Sequence, residues 1–359
     1  MKGIFVLLGI VVAVVVYTQL DKRVGPKLRE ASDTKKWMFP TTFVGFFVAM
    51  VALGFVLDVA KLELGVLVGI YALMAMGLNI VVGYAGLLDL GYVAFFAVGA
   101  YTMGILTNAG PLHLPFHLNF WEILPIGIVI ALLSGLLLGA PTLRLRGDYL
   151  AIVTLGFGEI VRILAENLNG VTNGARGISG IPPASIVGKS FGVFPRPYYM
   201  LLLLLIASYT LVIRALNHSR VGRAWAAIRE DEVAAEAMGV PTLKYKLWAF
   251  AIGASTASMG GMIYGARVGF ISPESFQLIF SIYILSAVVL GGLGSTAGAM
   301  AGAAAILVVP EMLRSLPARL LDARFGFFGL ALVLMMIFRP QGLIPSRRRA
   351  AELKTDATP

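Results

Sequence analysis

Apolar stretches of membrane-span length recur along most of this chain, and that recurrence restricts its fold more than any other feature. They occupy residues 3–20, 39–57, 64–82, 83–106, 123–141, 147–168, 198–216, 243–266, 278–294, 297–313 and 325–338. At 1.5 Å per residue, about 20 apolar residues cross a hydrocarbon core of about 30 Å. Backbone polar groups in lipid must be satisfied within the segment, so repeated spans of this kind predict helices. We therefore expect an all-α integral membrane protein, a polytopic bundle of about 10–11 transmembrane helices with Gly-broken segments.

Composition agrees: 58% of residues are hydrophobic and 13% are charged, about half the charge of an average soluble domain. The net charge of +10 reflects topology rather than nucleic acid, because nineteen of the 29 Lys and Arg fall at 21–36, 144–146, 214–246 and 339–354. All four clusters can lie on one face of a bilayer, as the positive-inside bias requires of the cytoplasmic side. This puts the N-terminus outside and the C-terminus inside, with anionic lipid as a contact. Arg314, Arg319 and Arg324 are discordant, since they fall on the outer side. The run 3–20 precedes its basic residues, the reverse of a signal peptide, and reads as a retained helix. The chain divides into 1–38 (first helix and basic loop), a transmembrane body 39–345, and a basic tail 346–359.

Two stretches break the pattern of plain spans. GYAGLLDLGYVAFFAVGAYTMGIL (83–106) is interrupted by glycines and contains Asp89. A carboxylate there is costly unless it faces protein or water, although glycines alone also serve close helix packing. GGLGSTAGAMAGAAA (291–305) is a second Gly-rich element that can answer the first, as paired broken segments do in transporter repeats. Candidate pathway residues are Asn79, Asp89 and Tyr92 at the first element and Ser286, Ser295 and Thr296 at the second. In 147–168, Glu159, Arg162 and Glu166 are spaced three and four apart, so they share a helix face and form a buried charge unit. An interfacial salt bridge of structural value has the same spacing.

The most polar interruption is 217–241, NHSRVGRAWAAIREDEVAAEAMGVP. Val221, Ala224, Trp225, Ile228, Ala235 and Met238 recur at helical spacing among charged residues, predicting one or two amphipathic helices stopped by Gly239 and Pro241. Such a stripe can enter the groove of a soluble partner or lie on the membrane surface. In the first reading Trp225 and Ile228 supply apolar bulk. Arg223, Arg229, Glu230, Asp231 and Glu232 surround it and set register, while Gly222 and Gly239 permit close approach and a tight exit.

Several chemistries are unsupported. Zero Cys excludes thiolate chemistry and Cys-ligated metals. His113 and His117 have Pro115 between them and no adjacent carboxylate, so no metal site is expected. Gly188, Lys189 and Ser190 resemble the end of a P-loop, but Pro183 stands where its first Gly is required. No constellation of Ser, His and Asp suggests an enzyme.

The chain closely resembles the permease subunits of branched-chain amino acid ABC importers, more the LivM type than its LivH partner. The resemblance is carried by GLLDLGYVAFFAVGAYT (86–102), LRLRGDYLAIVTLGFGEIVR (143–162), GRAWAAIREDEVAAEAMGV (222–240), GFISPESF (269–276), VVLGGLGSTAGAMAGA (288–303) and FRPQGLIP (338–345). TNGARGISGIP (172–182) departs from the family's usual run, which is like TGGSNGL. The resemblance implies a pathway for leucine, isoleucine or valine in the cytoplasmic (inner) membrane. It implies a second, LivH-like permease, two cytoplasmic ATPase subunits that bind ATP and Mg, and a periplasmic binding protein. It also makes 217–241 the coupling loop to the ATPases, with no cofactor bound by this chain. Related importers carry urea, short amides or other amino acids, and an ion-coupled secondary transporter also needs broken helices and buried acids. That class does not need a docking helix.

Overall fold

The computed structural model describes residues 35–313, apart from 113, 116, 144, 146, 187, 188 and 193, together with 329, 333, 337 and 342–344. The expected span at 3–20, most of that at 325–338, the tail, and His113, Arg144, Arg146, Arg314, Arg319 and Arg324 lie outside these residues.

The expected all-α bundle is present. Its first helices are α1 (Lys35–Val56), α2 (Val59–Leu78), the shorter α3 (Val93–Leu106), α4 (Phe120–Thr142) and α5 (Asp148–Asn167). After the loop 168–194 come α6 (Pro195–His218), the short pair α7 (Arg220–Glu230) and α8 (Glu232–Ala237), α9 (Thr242–Val268), α10 (Leu278–Gly291) and α11 (Thr296–Leu313). Among the described residues, four segments are both long and apolar enough to cross a membrane: Val59–Tyr84, Phe120–Thr142, Pro195–His218 and Pro273–Gly291. α5 and α9 have sufficient length, at 20 and 27 residues, but carry more polar faces.

α9 runs through the centre, with Ala249, Ala254, Ala257, Met262 and Ile263 all fully buried. Small residues determine how closely its neighbours approach, because lipid provides no hydrophobic drive between helices and contact depends on fit. A Cβ on Gly99 would strike the backbone of Ser258, and one on Gly261 would strike the carbonyl of Phe96, so α3 and α9 touch backbone to backbone. α10 and α11 form a hairpin in the same way, through Gly291, Gly298 and Gly302.

The loops gather at two ends. At one end Ile178 pairs with Ile271, Arg267 bridges to Glu63 at 2.5 Å, and the Trp121 indole N–H donates to the Ser185 carbonyl at 2.6 Å. Gly177, at φ +70°, permits that strand pairing inside the departing loop. At the other end lie Tyr84, the α7–α8 pair, the Gly292–Ser295 turn, and the segment 342–344, whose Leu343 and Ile344 amides donate to Leu290 and Gly291.

The first Gly-rich element is broken, as its sequence suggests. α2 continues as a π-helical turn, Asn79–Tyr84, and residues 85–92 then run irregularly before α3 begins. α3 has only 14 residues, about 21 Å. Its first amides are satisfied from three directions. Gly91 donates to the Asp89 carboxylate at 2.9 Å, Leu90 to the Thr154 hydroxyl at 3.1 Å, and Val93 to the Ser281 hydroxyl at 3.0 Å. A side chain on Gly91 would collide with the Thr154 carbonyl. Gly91→Ala is therefore expected to force α3 from α5 and destabilise the protein by about 1–3 kcal/mol, measurable as a lower melting temperature in detergent.

Candidate functional site at the membrane face of the helix pair

The α7–α8 pair forms because each helix has a side-chain cap. The Ser219 hydroxyl accepts from the Val221 amide at 3.1 Å, and Asp231 accepts from Val233 and Ala234 at 2.8 and 3.0 Å. Asp231 thus separates the two helices and starts the second. Gly239, at φ +84°, turns the chain out, and Val240 donates back to Ala235 at 3.0 Å. A Cβ on Gly222 would meet the carbonyls of Leu216 and Asn217, so glycine lets α7 fold back on the end of α6.

The apolar stripe of α7 faces inward, which corrects the expectation for Trp225 and Ile228. They are 1% and 5% exposed, and the Trp225 indole N–H donates to the Tyr245 carbonyl at 2.8 Å. They enter a groove of this same chain, between α7 and the start of α9, and so are not available to a partner. The outer surface instead presents Val233 and Met238, 59% and 84% exposed, among exposed Arg223, Glu230, Asp231 and Glu236.

Two charged links fix the pair to the bundle. Lys246, buried in α9, meets the Glu232 carboxylate at 2.5 Å. Arg229 donates from Nη1 to the Gly83 carbonyl at 2.9 Å, in the π-helical turn. A π turn displaces carbonyls from the regular ladder, and here Gly83 presents one to the guanidinium. Gly86, at φ +73°, lies against the Arg229 side chain, where a Cβ would come within 2.9 Å of its Cγ.

The same turn holds the second Gly-rich element. The Asn79 carboxamide oxygen accepts from the Gly294 amide at 2.9 Å, and the Tyr84 and Thr296 hydroxyls lie 3.0 Å apart. The helix pair, the first broken element and the Gly292–Ser295 turn thus converge on six residues, Asn79–Tyr84. A cavity of about 240 Å³ lies at the junction, lined by Tyr84, Asn217, Arg223, Arg229, Glu230 and Gly294 among others.

Asn79, Asp89 and Tyr92 are 0%, 2% and 0% exposed, so they are enclosed by this chain rather than facing a passage. Asn79 and Asp89 brace the break through the bonds given above, and the Tyr92 hydroxyl donates to the Gly253 carbonyl at 3.0 Å. Ser286, Ser295 and Thr296 are partly exposed, and Ser295 accepts from the Gly298 amide at 3.1 Å. Glu159, Arg162 and Glu166 pair as their spacing suggests. Arg162 donates from Nε to Glu159 at 2.9 Å and from Nη1 to Glu166 at 3.0 Å. Their side chains nevertheless remain 43%, 24% and 45% exposed, so nothing in the described chain buries the unit.

Lys246, Tyr84 and the Gly83 carbonyl escaped the sequence reading. A second lysine five residues into α9, just before the apolar run Leu247–Ile252, was the available signal for Lys246. Glu232→Gln keeps an acceptor but removes the charge beside that buried ammonium. It is expected to cost about 1–3 kcal/mol, read as a melting shift that Lys246→Met largely restores in the double variant.

The chain matches the family model for the permease component of branched-chain amino acid transport systems over residues 62–338. It is 40% identical over 350 residues, covering 91% of this chain and 79% of the relative, to the high-affinity branched-chain amino acid transport permease LivM of Escherichia coli. The LivM protein of Salmonella typhimurium is 39% identical over 348 residues, with the same coverage of each chain. The LivH permease of Salmonella typhimurium is 28% identical over 288 residues, 76% of this chain and 91% of the relative. No solved structure matches the chain. The two broken elements and the α7–α8 pair fall inside the matched residues, and the chain belongs to the family of permease components of branched-chain amino acid transport systems.

Proposed function

We propose that this chain is one of two different permease subunits of an ATP-driven importer, that it carries branched-chain amino acids across the inner membrane, and that residues 217–241 receive the stroke of separate cytoplasmic ATPase subunits. Substrate is delivered from the other side by a binding protein. The observation that carries the reading is the convergence on Asn79–Tyr84, where Arg229 of α7 grips the π-helical turn and that turn grips Gly294 and Thr296. ATP chemistry performed elsewhere reaches the spans only through a contact that both sides can bias. A helix pair tied to two broken membrane elements meets that need.

The docking surface is the outward side of α8, with Val233 and Met238 as apolar contacts and Arg223, Glu230, Asp231 and Glu236 as its charged rim. α7 serves as the lever between that surface and the π-helical turn. In this reading the α7–α8 end, which also holds 342–344, faces the cytoplasm and the Ile178–Ile271 end faces outward.

The test is co-expression with the LivH-type permease, the ATPases and the binding protein, followed by leucine uptake in proteoliposomes. ATP-dependent uptake with all four present is the expected result. Uptake driven by an ion gradient without ATP, or purification of the permease pair free of ATPase, would sink it.

A further inference from the structure

Among the described residues, no other element covers the charged flank of α5, and it has no role in the coupling just described. At 100° per residue, the buried arc of α5 holds Leu150, Ala151, Thr154 and Ala165, all at most 5% exposed. The opposite arc is apolar and open, with Ile152, Ile160 and Ile163 exposed by 64%, 54% and 45%. Glu159, Arg162 and Glu166 lie on the border between the two arcs, together with Leu155, one turn before Glu159.

Lipid is a poor neighbour for this border. Glu159 lies eight residues from the end of α5, about 12 Å inside it. Snorkelling would free the charges by extending Arg162 toward the headgroups, yet its guanidinium lies along the helix, clasped by Glu159 and Glu166. A dry protein seam suits it no better. Two carboxylates against one guanidinium leave a surplus negative charge, which a water-free interface would leave uncompensated.

We infer that the Glu159–Arg162–Glu166 flank of α5 faces the water-filled route between this chain and the second permease, and forms its charged wall for a zwitterion. This rests on the importer reading above. A zwitterion matches the unit without net change in charge: its carboxylate exchanges onto Arg162 while its ammonium takes the released glutamate. The adjacent isoleucine strip suits an aliphatic side chain, which loses little by leaving water along it. No covalent step is involved.

The chain contains no cysteine, so a single introduced thiol reports one position. In the assembled importer, Leu155→Cys keeps all three charges in place and samples the flank. Leu137→Cys, on the 78% exposed outer side of α4, and Ala249→Cys, fully buried in α9, serve as references. A membrane-impermeant, charged methanethiosulfonate reacts with thiolate, which hydrocarbon suppresses, so Leu155→Cys is expected to react on the order of tenfold faster than either reference. Leucine supplied with the binding protein slows that reaction. Reaction as slow as at Leu137→Cys overturns the inference in favour of lipid, and reaction as slow as at Ala249→Cys overturns it in favour of a dry seam. Leucine uptake by the unsubstituted importer is measured in parallel. Its absence would sink the substrate reading, while the labelling pattern alone still decides whether the flank faces water.

Discussion

Trp225→Ala is expected to remove most of the folded protein from the membrane rather than to uncouple it. The indole is 1% exposed, donates to the Tyr245 carbonyl and fills the space between α7 and the start of α9. Truncating a buried tryptophan costs about 3–5 kcal/mol, a large share of the roughly 5–15 kcal/mol that holds a typical domain. The Tyr245 carbonyl also loses its side-chain donor. Membrane yield and melting temperature in detergent give the readout. Normal accumulation of the variant, combined with loss of ATPase binding, would put the indole on the docking surface after all.

The opposite phenotype is expected from Val233→Asp combined with Met238→Asp. Both side chains are already open, so the permease accumulates and melts as before. Contacts at the centre of an interface are worth about 2 kcal/mol or more each, so the pair loses on the order of a thousandfold in ATPase affinity. Co-purification with the ATPases, followed by titration of purified ATPase onto the permease pair, checks this. Retained affinity would mean that the ATPases bind somewhere other than α8.

These two predictions differ because of what a sequence can and cannot reveal about a helix. Periodicity in 217–241 indicated one or two short amphipathic helices and the exit at Gly239, whereas the division into two at the Asp231 cap came from the structure. It also showed that Trp225 and Ile228 share an apolar side. It could not show which chain covers that side, since a partner's groove and a groove of the same chain require the same residues. The break near Asp89 was readable because glycine and a carboxylate are out of place in a span. Its closure was not, because Asn79 and Gly294 are 215 residues apart and a side chain meeting a backbone amide leaves no pattern along the chain. The ion pairs of Arg162 follow from spacing alone. The openness of their flank depends on where neighbouring helices stop, which only the packed bundle reveals.

Coupling through the π-helical turn is tested most directly by the ratio of leucine imported to ATP hydrolysed, measured for Arg229→Ala in reconstituted importer. Removing the guanidinium leaves the apolar core of α7 and the outer surface of α8 in place, so the complex assembles and hydrolysis continues. Uptake per ATP is expected to fall by about 5- to 150-fold, the span of a coupling worth roughly 1–3 kcal/mol. An unchanged ratio in an assembled, hydrolysing complex would contradict transmission from α7 to Gly83.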